Sequence, residues 1–107
     1  MESANDRVLG KVATRILFDN DRVRIWEMTL DPGAKSDTHR HELDYVLVQL
    51  DGDRIAAVPE PDTQGSFRDY FEADVVYGRT RFIARGGIET AVNVGARRYR
   101  EILIELK

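Results

Sequence analysis

The only two histidines of this chain, His39 and His41, stand two residues apart. On a strand, residues i and i+2 project from the same face, so both imidazoles can point at one common atom. Neutral imidazole is the commonest side-chain ligand for a metal ion. Gly33 precedes the pair and Gly52 follows it. A glycine turn, a His-x-His strand and a second glycine turn describe half of a metal site on a β-barrel. No Ser-His-Asp relay can be assembled, because both histidines are committed to one short stretch.

Parity extends the pattern. His39, His41, Leu43, Tyr45, Leu47 and Gln49 share one face of a regular strand, and Arg40, Glu42 and Asp44 the other. A barrel interior holding two histidines, a tyrosine and a glutamine is a polar lumen. Burying those groups costs free energy unless they bind a ligand or one another. Trp26 and Met28 share parity on a preceding strand, and Phe82 lies on a following one. With Gln49 they supply the apolar wall and few polar groups that a small-molecule pocket needs. Each of these also suits an ordinary core.

The elements that must position these residues are short strands separated by turn signals, the pattern of a sandwich or barrel. Strands are expected over Val12 to Phe18 and Arg22 to Leu30, the latter stopped by Asp31-Pro32-Gly33. His39 to Leu50 reads as one long strand, ended by Asp51-Gly52-Asp53 and followed by Arg54 to Val58. Pro59 to Gly65 is a loop, because its two prolines and its glycine cannot continue a ladder. Ser66 to Glu72, Asp74 to Tyr77, Thr80 to Ala84, Glu89 to Val94 and Arg98 to Leu106 complete roughly nine strands. The last could be drawn as a helix, but its alternation and two isoleucines favour a strand. Residues 1 to about 8 form a polar tail, expected to be disordered, ahead of a single domain over 9–107.

At 107 residues the chain is long enough for one core. Its 42% hydrophobic and 33% charged residues are ordinary for a globular protein, and the net charge of -3 is small and interspersed. Nothing forms the dense basic face that duplex nucleic acid requires; Arg97, Arg98 and Arg100 read as a solvated strand edge. The absence of cysteine excludes disulfides, thiolate metal sites and cysteine nucleophiles. A polar N-terminus followed by no long apolar run argues against a signal peptide or spanning helix, so a cytoplasmic location without membrane contact is expected.

The spacing Gly33, five residues, His39-x-His41, three residues, Tyr45, six residues, Gly52 resembles the first motif of the cupin family. The second cupin motif is matched by Gly78, Ala84-Arg85-Gly86, Glu89 and Asn93 without a gap. The resemblance spans about residues 12 to 106 and implies an all-β fold, the double-stranded β-helix or jelly-roll barrel. Three positions depart from it. Tyr45 stands where the family has a ligating glutamate, Glu89 where it has a ligating histidine, and Ala84 where it has proline.

His39, His41 and Glu89 then make a two-histidine, one-carboxylate set, the ligand type that holds non-haem Fe(II) with open positions. Mn, Ni or Zn would also accept it, so the resemblance implies a divalent ion of open identity. Tyr45, with an ordinary phenol pKa of about 10, is more suited to hydrogen bonding than to ligation. Tyr45 and Glu89 are the acid–base candidates. Asn93 is expected to bond backbone. The same residues also suit a barrel without metal, with hydrogen-bonded histidines, a solvated Glu89 and Tyr45 in the core.

Three classes of function are compatible with these residues. One is a metal-dependent enzyme on a small organic acid or carbonyl compound, with dioxygenase, lyase or isomerase chemistry. Another is a non-catalytic binding barrel, a sensor or carrier. The third is a structural homodimer subunit, its outward-facing Val46, Val48 and Leu50 covered by a second copy.

Overall fold

The computed structural model describes residues 8–107. The expected tail therefore lies outside the described residues except for Val8, which is exposed. Nine strands are present: β1 (Arg15–Asp19), β2 (Val23–Leu30), β3 (His39–Arg40), β4 (Tyr45–Asp51), β5 (Arg54–Pro59), β6 (Phe71–Asp74), β7 (Thr80–Ile83), β8 (Ile88–Asn93) and β9 (Tyr99–Leu106). All pairings between them are antiparallel. They form a five-stranded sheet, β1-β2-β9-β4-β7, and a four-stranded sheet, β3-β8-β5-β6. This is the expected all-β jelly roll, drawn as two sheets that do not merge into one closed ladder. No helix among the described residues is long and apolar enough to cross a membrane.

The long strand expected over His39 to Leu50 is two strands in different sheets. β3 pairs with β8, whereas β4 pairs with β9 and β7. The chain crosses between sheets over Glu42 to Asp44, where the Asp44 carboxylate accepts from the Arg85 amide at 2.9 Å. A continuous run of strand-forming residues carries no local mark of a change of sheet, which is why the break is invisible in sequence. Extended structure after the proline loop is also shorter than expected. It is confined to Phe71–Asp74, and Val76 to Arg79 turns instead, with the Arg79 amide on the Val76 carbonyl.

Turn chemistry follows the glycines of the two spaced frames. Gly52 (φ 127°) joins β4 to β5, and Gly86 (φ 112°) starts the turn into β8. Both lie in the left-handed region that penalises a Cβ. A Cβ on Gly86 would also meet the Gln64 carbonyl oxygen at 3.0 Å. The Gln64 amide bonds the Gly86 carbonyl, and the Thr63 hydroxyl accepts from the Ile88 amide, so the proline loop clamps this turn.

The core lies between the sheets. Ala13, Trp26, Met28, Leu30, Tyr45, Tyr99 and Leu103 form one buried cluster. Asn93, fully buried, gives both amide protons to backbone, at the Leu30 and Arg97 carbonyls, as expected. The arginines near the C-terminus each meet a carboxylate: Arg97 with Asp51, Arg98 with Asp31 and Arg100 with Glu27.

Candidate functional site

His39 is buried on β3, an edge strand of the four-stranded sheet, with its backbone paired opposite Glu89. His41 lies just past the strand but keeps the ladder going: its amide bonds the Gly87 carbonyl, and its carbonyl accepts from the Gly86 amide. Both side chains therefore point inward, His39 2% and His41 3% exposed, with Nε2 atoms 3.1 Å apart. The shared face read from their spacing is real.

Hydrogen bonding assigns the tautomers. His39 Nδ1 lies 2.7 Å from the Asp37 carbonyl and donates to it, leaving Nε2 with a lone pair. His41 Nε2 then donates to that lone pair. This strands His41 Nδ1, the one fully buried side-chain nitrogen or oxygen among the described residues with no partner. Burial, reinforced by neighbouring His39, pushes the His41 pKa down to about 3, and burial also lowers that of His39. Both rings are neutral at physiological pH, the protonation state a metal ion requires.

Glu89 completes this end of the cavity. Its Oε1 is 3.9 Å from His41 Nε2, and burial raises its pKa. Gly87 makes room for both, since a Cβ there would meet Glu89 Oε1 at 3.1 Å and His41 Cδ2 at 3.8 Å. Tyr45, carried by the opposite sheet, stacks on the His41 ring with centroids 4.2 Å apart. Burial first, then the charges of Glu89 and Glu101, raise its phenol pKa. The phenol is thus a protonated donor and no ready ligand.

The donor set can be tested against a metal ion by distance. Two donors each about 2.1 Å from one ion are at most about 4.2 Å apart. The separations of 3.1 Å and 3.9 Å both fall inside that limit. Even so, no group of three or more His, Asp or Glu side chains among the described residues is gathered so as to hold an ion as it stands. Two nitrogens converge; the carboxylate is adjacent and not closed upon them.

Behind this end lies a cavity of about 90 Å³. Its walls include Leu47, Ile55, Phe67 and Phe71, and its polar lining includes Tyr45, Gln49, Glu89, Tyr99 and Glu101, with Arg79 and Arg81. Gln49 lines the cavity. Trp26 and Met28 do not: they face inward on β2, but β9 lies between β2 and β4, so they pack in the core beside the cavity. The Trp26 indole donates to Glu105 at 2.6 Å. Phe82 is 63% exposed and lies outside the cavity as well. It pairs with Val46 on the outer face of the five-stranded sheet, while its neighbour Ile83 points in beside Tyr45.

Tyr99 and Glu101 were not singled out from the sequence. The signal was there: Tyr99, Glu101, Leu103 and Glu105 alternate on β9, and all four are buried. The Tyr99 hydroxyl donates to Glu101 Oε1 at 2.6 Å. Burial pushes the Glu101 pKa up to about 7; the Tyr99 hydrogen bond opposes the rise and Glu89 adds to it.

No protein-family model matches the chain. Among curated proteins, it is 32% identical over 93 residues to the beta-alanine degradation protein BauB of Pseudomonas aeruginosa, covering 86% of this chain and 90% of that one. Among solved structures, a cupin domain from Bordetella pertussis Tohama I superposes with a TM-score of 0.73 at 22% identity, over 87% of this chain and 90% of that one. The polyketide cyclase RemF from Streptomyces resistomycificus gives a TM-score of 0.61 at 25% identity, over 86% of this chain and 62% of that one.

Proposed function

The chain belongs to the cupin family, and from that premise we propose that it is a metal-dependent enzyme acting on a small organic acid or carbonyl compound. The observation that carries this is the convergence of two buried, neutral imidazoles on one point, Nε2 to Nε2 3.1 Å, with the Glu89 carboxylate beside them. His39, His41 and Glu89 would hold the ion, with Fe, Mn, Ni and Zn all compatible with such donors. A bound divalent ion supplies Lewis acidity toward a carbonyl or carboxylate oxygen.

The chain's own residues supply the rest. The Asp37 carbonyl fixes His39 in the tautomer with a free Nε2. To ligate, His41 would shift its proton from Nε2 to Nδ1, the atom that lacks a partner in the metal-free tautomer. Tyr45 donates a hydrogen bond to whatever anion sits beside His41, and Glu89, where it is not a ligand, exchanges a proton there. A cavity of about 90 Å³ is smaller than the roughly 150 Å³ engineered cavity that accepts benzene, so the substrate has only a few heavy atoms. That size agrees with the Pseudomonas relative, a beta-alanine degradation protein.

A homodimer is part of the same reading. Phe18, Ile25, Ile104, Val46 and Phe82 are joined by strand pairing into one row across the outer face of the five-stranded sheet. Arg15, Glu27 and Arg100 form a polar border next to it. An apolar centre with a polar rim suits a second copy. A cytoplasmic protein without nucleic-acid or membrane partners fits this picture.

Metal analysis of protein purified without added metal tests the central claim. Near-stoichiometric Fe, Mn, Ni or Zn is expected, and metal-free protein that takes up none of these ions would overturn it. A second reading, a binding barrel without catalysis, is favoured by one observation: the ligands are not gathered as they stand. Ligand binding unaffected by a chelator would select it.

A further inference from the structure

The cavity wall on the five-stranded sheet carries a carboxylate that metal binding leaves unused. Glu101 is 4% exposed, and its Oε1 is taken by the Tyr99 hydroxyl at 2.6 Å. Its Oε2 has no hydrogen-bond or ion-pair partner among the described residues. Nor is Oε2 among the atoms sealed away without a partner, a set that holds His41 Nδ1 alone. It therefore faces open space, and the space that Glu101 lines is the cavity. A carboxylate buried on one neutral donor costs free energy that an apolar side chain would not. Leu103, the next inward residue of β9, shows what packing alone would place there.

The opposite charge stands along the same wall of the cavity. Arg79 and Arg81 both line it, and neither pairs with a carboxylate among the described residues; Arg79 Nη1 meets only the Asp74 carbonyl, at 3.1 Å. Strand register locates them. Glu101 pairs with Gln49, whose amide bonds the Arg79 carbonyl, and Leu103 pairs with Leu47, which pairs with Arg81. The acid and the guanidiniums are thus two strand spacings apart, about 9–10 Å at the backbone. Both ends are long side chains, so the charged groups can close on something that spans a few ångströms. Gln49 lies between them, with Nε2 3.4 Å from the Tyr99 hydroxyl. Glu89 on β8 and Tyr45 on β4 are the other ionisable groups on the cavity lining.

We propose that this cavity binds a small zwitterion, an amino acid with two or three carbons between its ammonium and carboxylate groups. Glu101 Oε2 accepts from the ammonium, and Arg79 and Arg81 take the carboxylate. Tyr99 is a positioning residue that fixes the orientation of the Glu101 carboxyl. Unpaired charges of both signs on one small cavity wall are satisfied together by such a molecule, whereas a plain acid or plain amine leaves one of them bare. This assignment deepens the small-molecule reading above and rests on it, but it does not require the metal.

Calorimetric titration of the full chain at pH 8 tests it, using β-alanine, propionate and propylamine with and without a chelator. β-Alanine is expected to bind at least about tenfold more tightly than either single-charge analogue. Glu101→Gln should erase the advantage over propionate, and Arg79→Gln with Arg81→Gln the advantage over propylamine. The wild-type series decides the matter even if a variant does not fold. Equal affinity for β-alanine and propionate, or no binding of any of the three, overturns the proposal. Metal occupancy is measured on the same samples. Protein that holds metal but ignores all three probes refutes the zwitterion and leaves the metal reading standing. Metal-free protein that prefers β-alanine does the reverse.

Discussion

The two faces of β9 invert the usual pattern of a half-buried strand. Tyr99, Glu101, Leu103 and Glu105 point inward and are buried, whereas Arg100, Ile102, Ile104 and Leu106 point outward. Two acids are thus inside and three large aliphatic residues outside. Glu105 accepts from the Trp26 indole and has the Arg24 guanidinium 3.9 Å away, whereas Glu101 accepts only from the neutral Tyr99 hydroxyl and lines the cavity. Apolar burial stabilises a fold in proportion to area, and buried carboxylates oppose it. A strand built this way sacrifices monomer stability on both sides. The inner face makes sense if it holds a ligand, and the outer face if it is covered.

The sharpest break of that contrast lies at the inner end. His41→Ala should take metal content from near one ion per chain to near none. Retention of the ion would remove His41 from the ligand set.

Proton titration separates the faces next. In chelated protein, His41 has its pKa depressed from its ordinary value near 6.5 to about 3. Its contribution is complete above pH 6.5 and is lost as pH falls through 3, up to about 5 kcal/mol. Glu101 has the opposite sign. Its pKa rises from 4.5 to about 7, so stability is greatest below pH 4.5 and falls as pH climbs through 7, by up to about 3 kcal/mol. Glu101→Gln should therefore raise stability at pH 8 and leave it nearly unchanged at pH 4, as read by denaturant unfolding. An equal gain at both pH values would mean that charge burial is not the cause.

On the outer face, Ile104→Glu sets a charge in the middle of the apolar row. The dimer dissociation constant should rise by about a hundredfold, roughly 3 kcal/mol, with β-alanine binding unaltered. Sedimentation showing a wild-type monomer at micromolar concentration would refute the covered face. The smallest effect is expected at Phe82→Ala. Its exposed ring should contribute less than about 1 kcal/mol to folding of the isolated chain, and a loss of cavity binding there would contradict its outward placement.

How far the sequence spoke depended on whether the information was local. Parity and glycine spacing placed His39, His41, Gln49 and the turns at Gly52 and Gly86, because period two and positive φ act over a few residues. Glu89 followed from the frame of the second motif and stands beside His41. The change of sheet at Glu42 to Asp44, the exile of Trp26 and Met28 from the cavity, and the outward turn of Phe82 are set by which strands become neighbours. Such pairings link residues far apart in the chain, and no window of sequence contains them. Glu101 fell between the two cases: its alternation was visible, but which side of β9 faced the cavity was not.

The position of β9 has a consequence for the birth of the molecule. It lies between β2 and β4, so the five-stranded sheet has no centre until residues 99–106 have been made. While the ribosome is still at work, β1 with β2 and β4 with β7 can exist only as separate strand pairs with bare inner edges. Glu101 and Tyr99 arrive in the same final step that joins them. Closing the sheet and furnishing its chamber are one event in time, and a nascent chain stalled before β9 exposes open edges with no binding chamber to show for it.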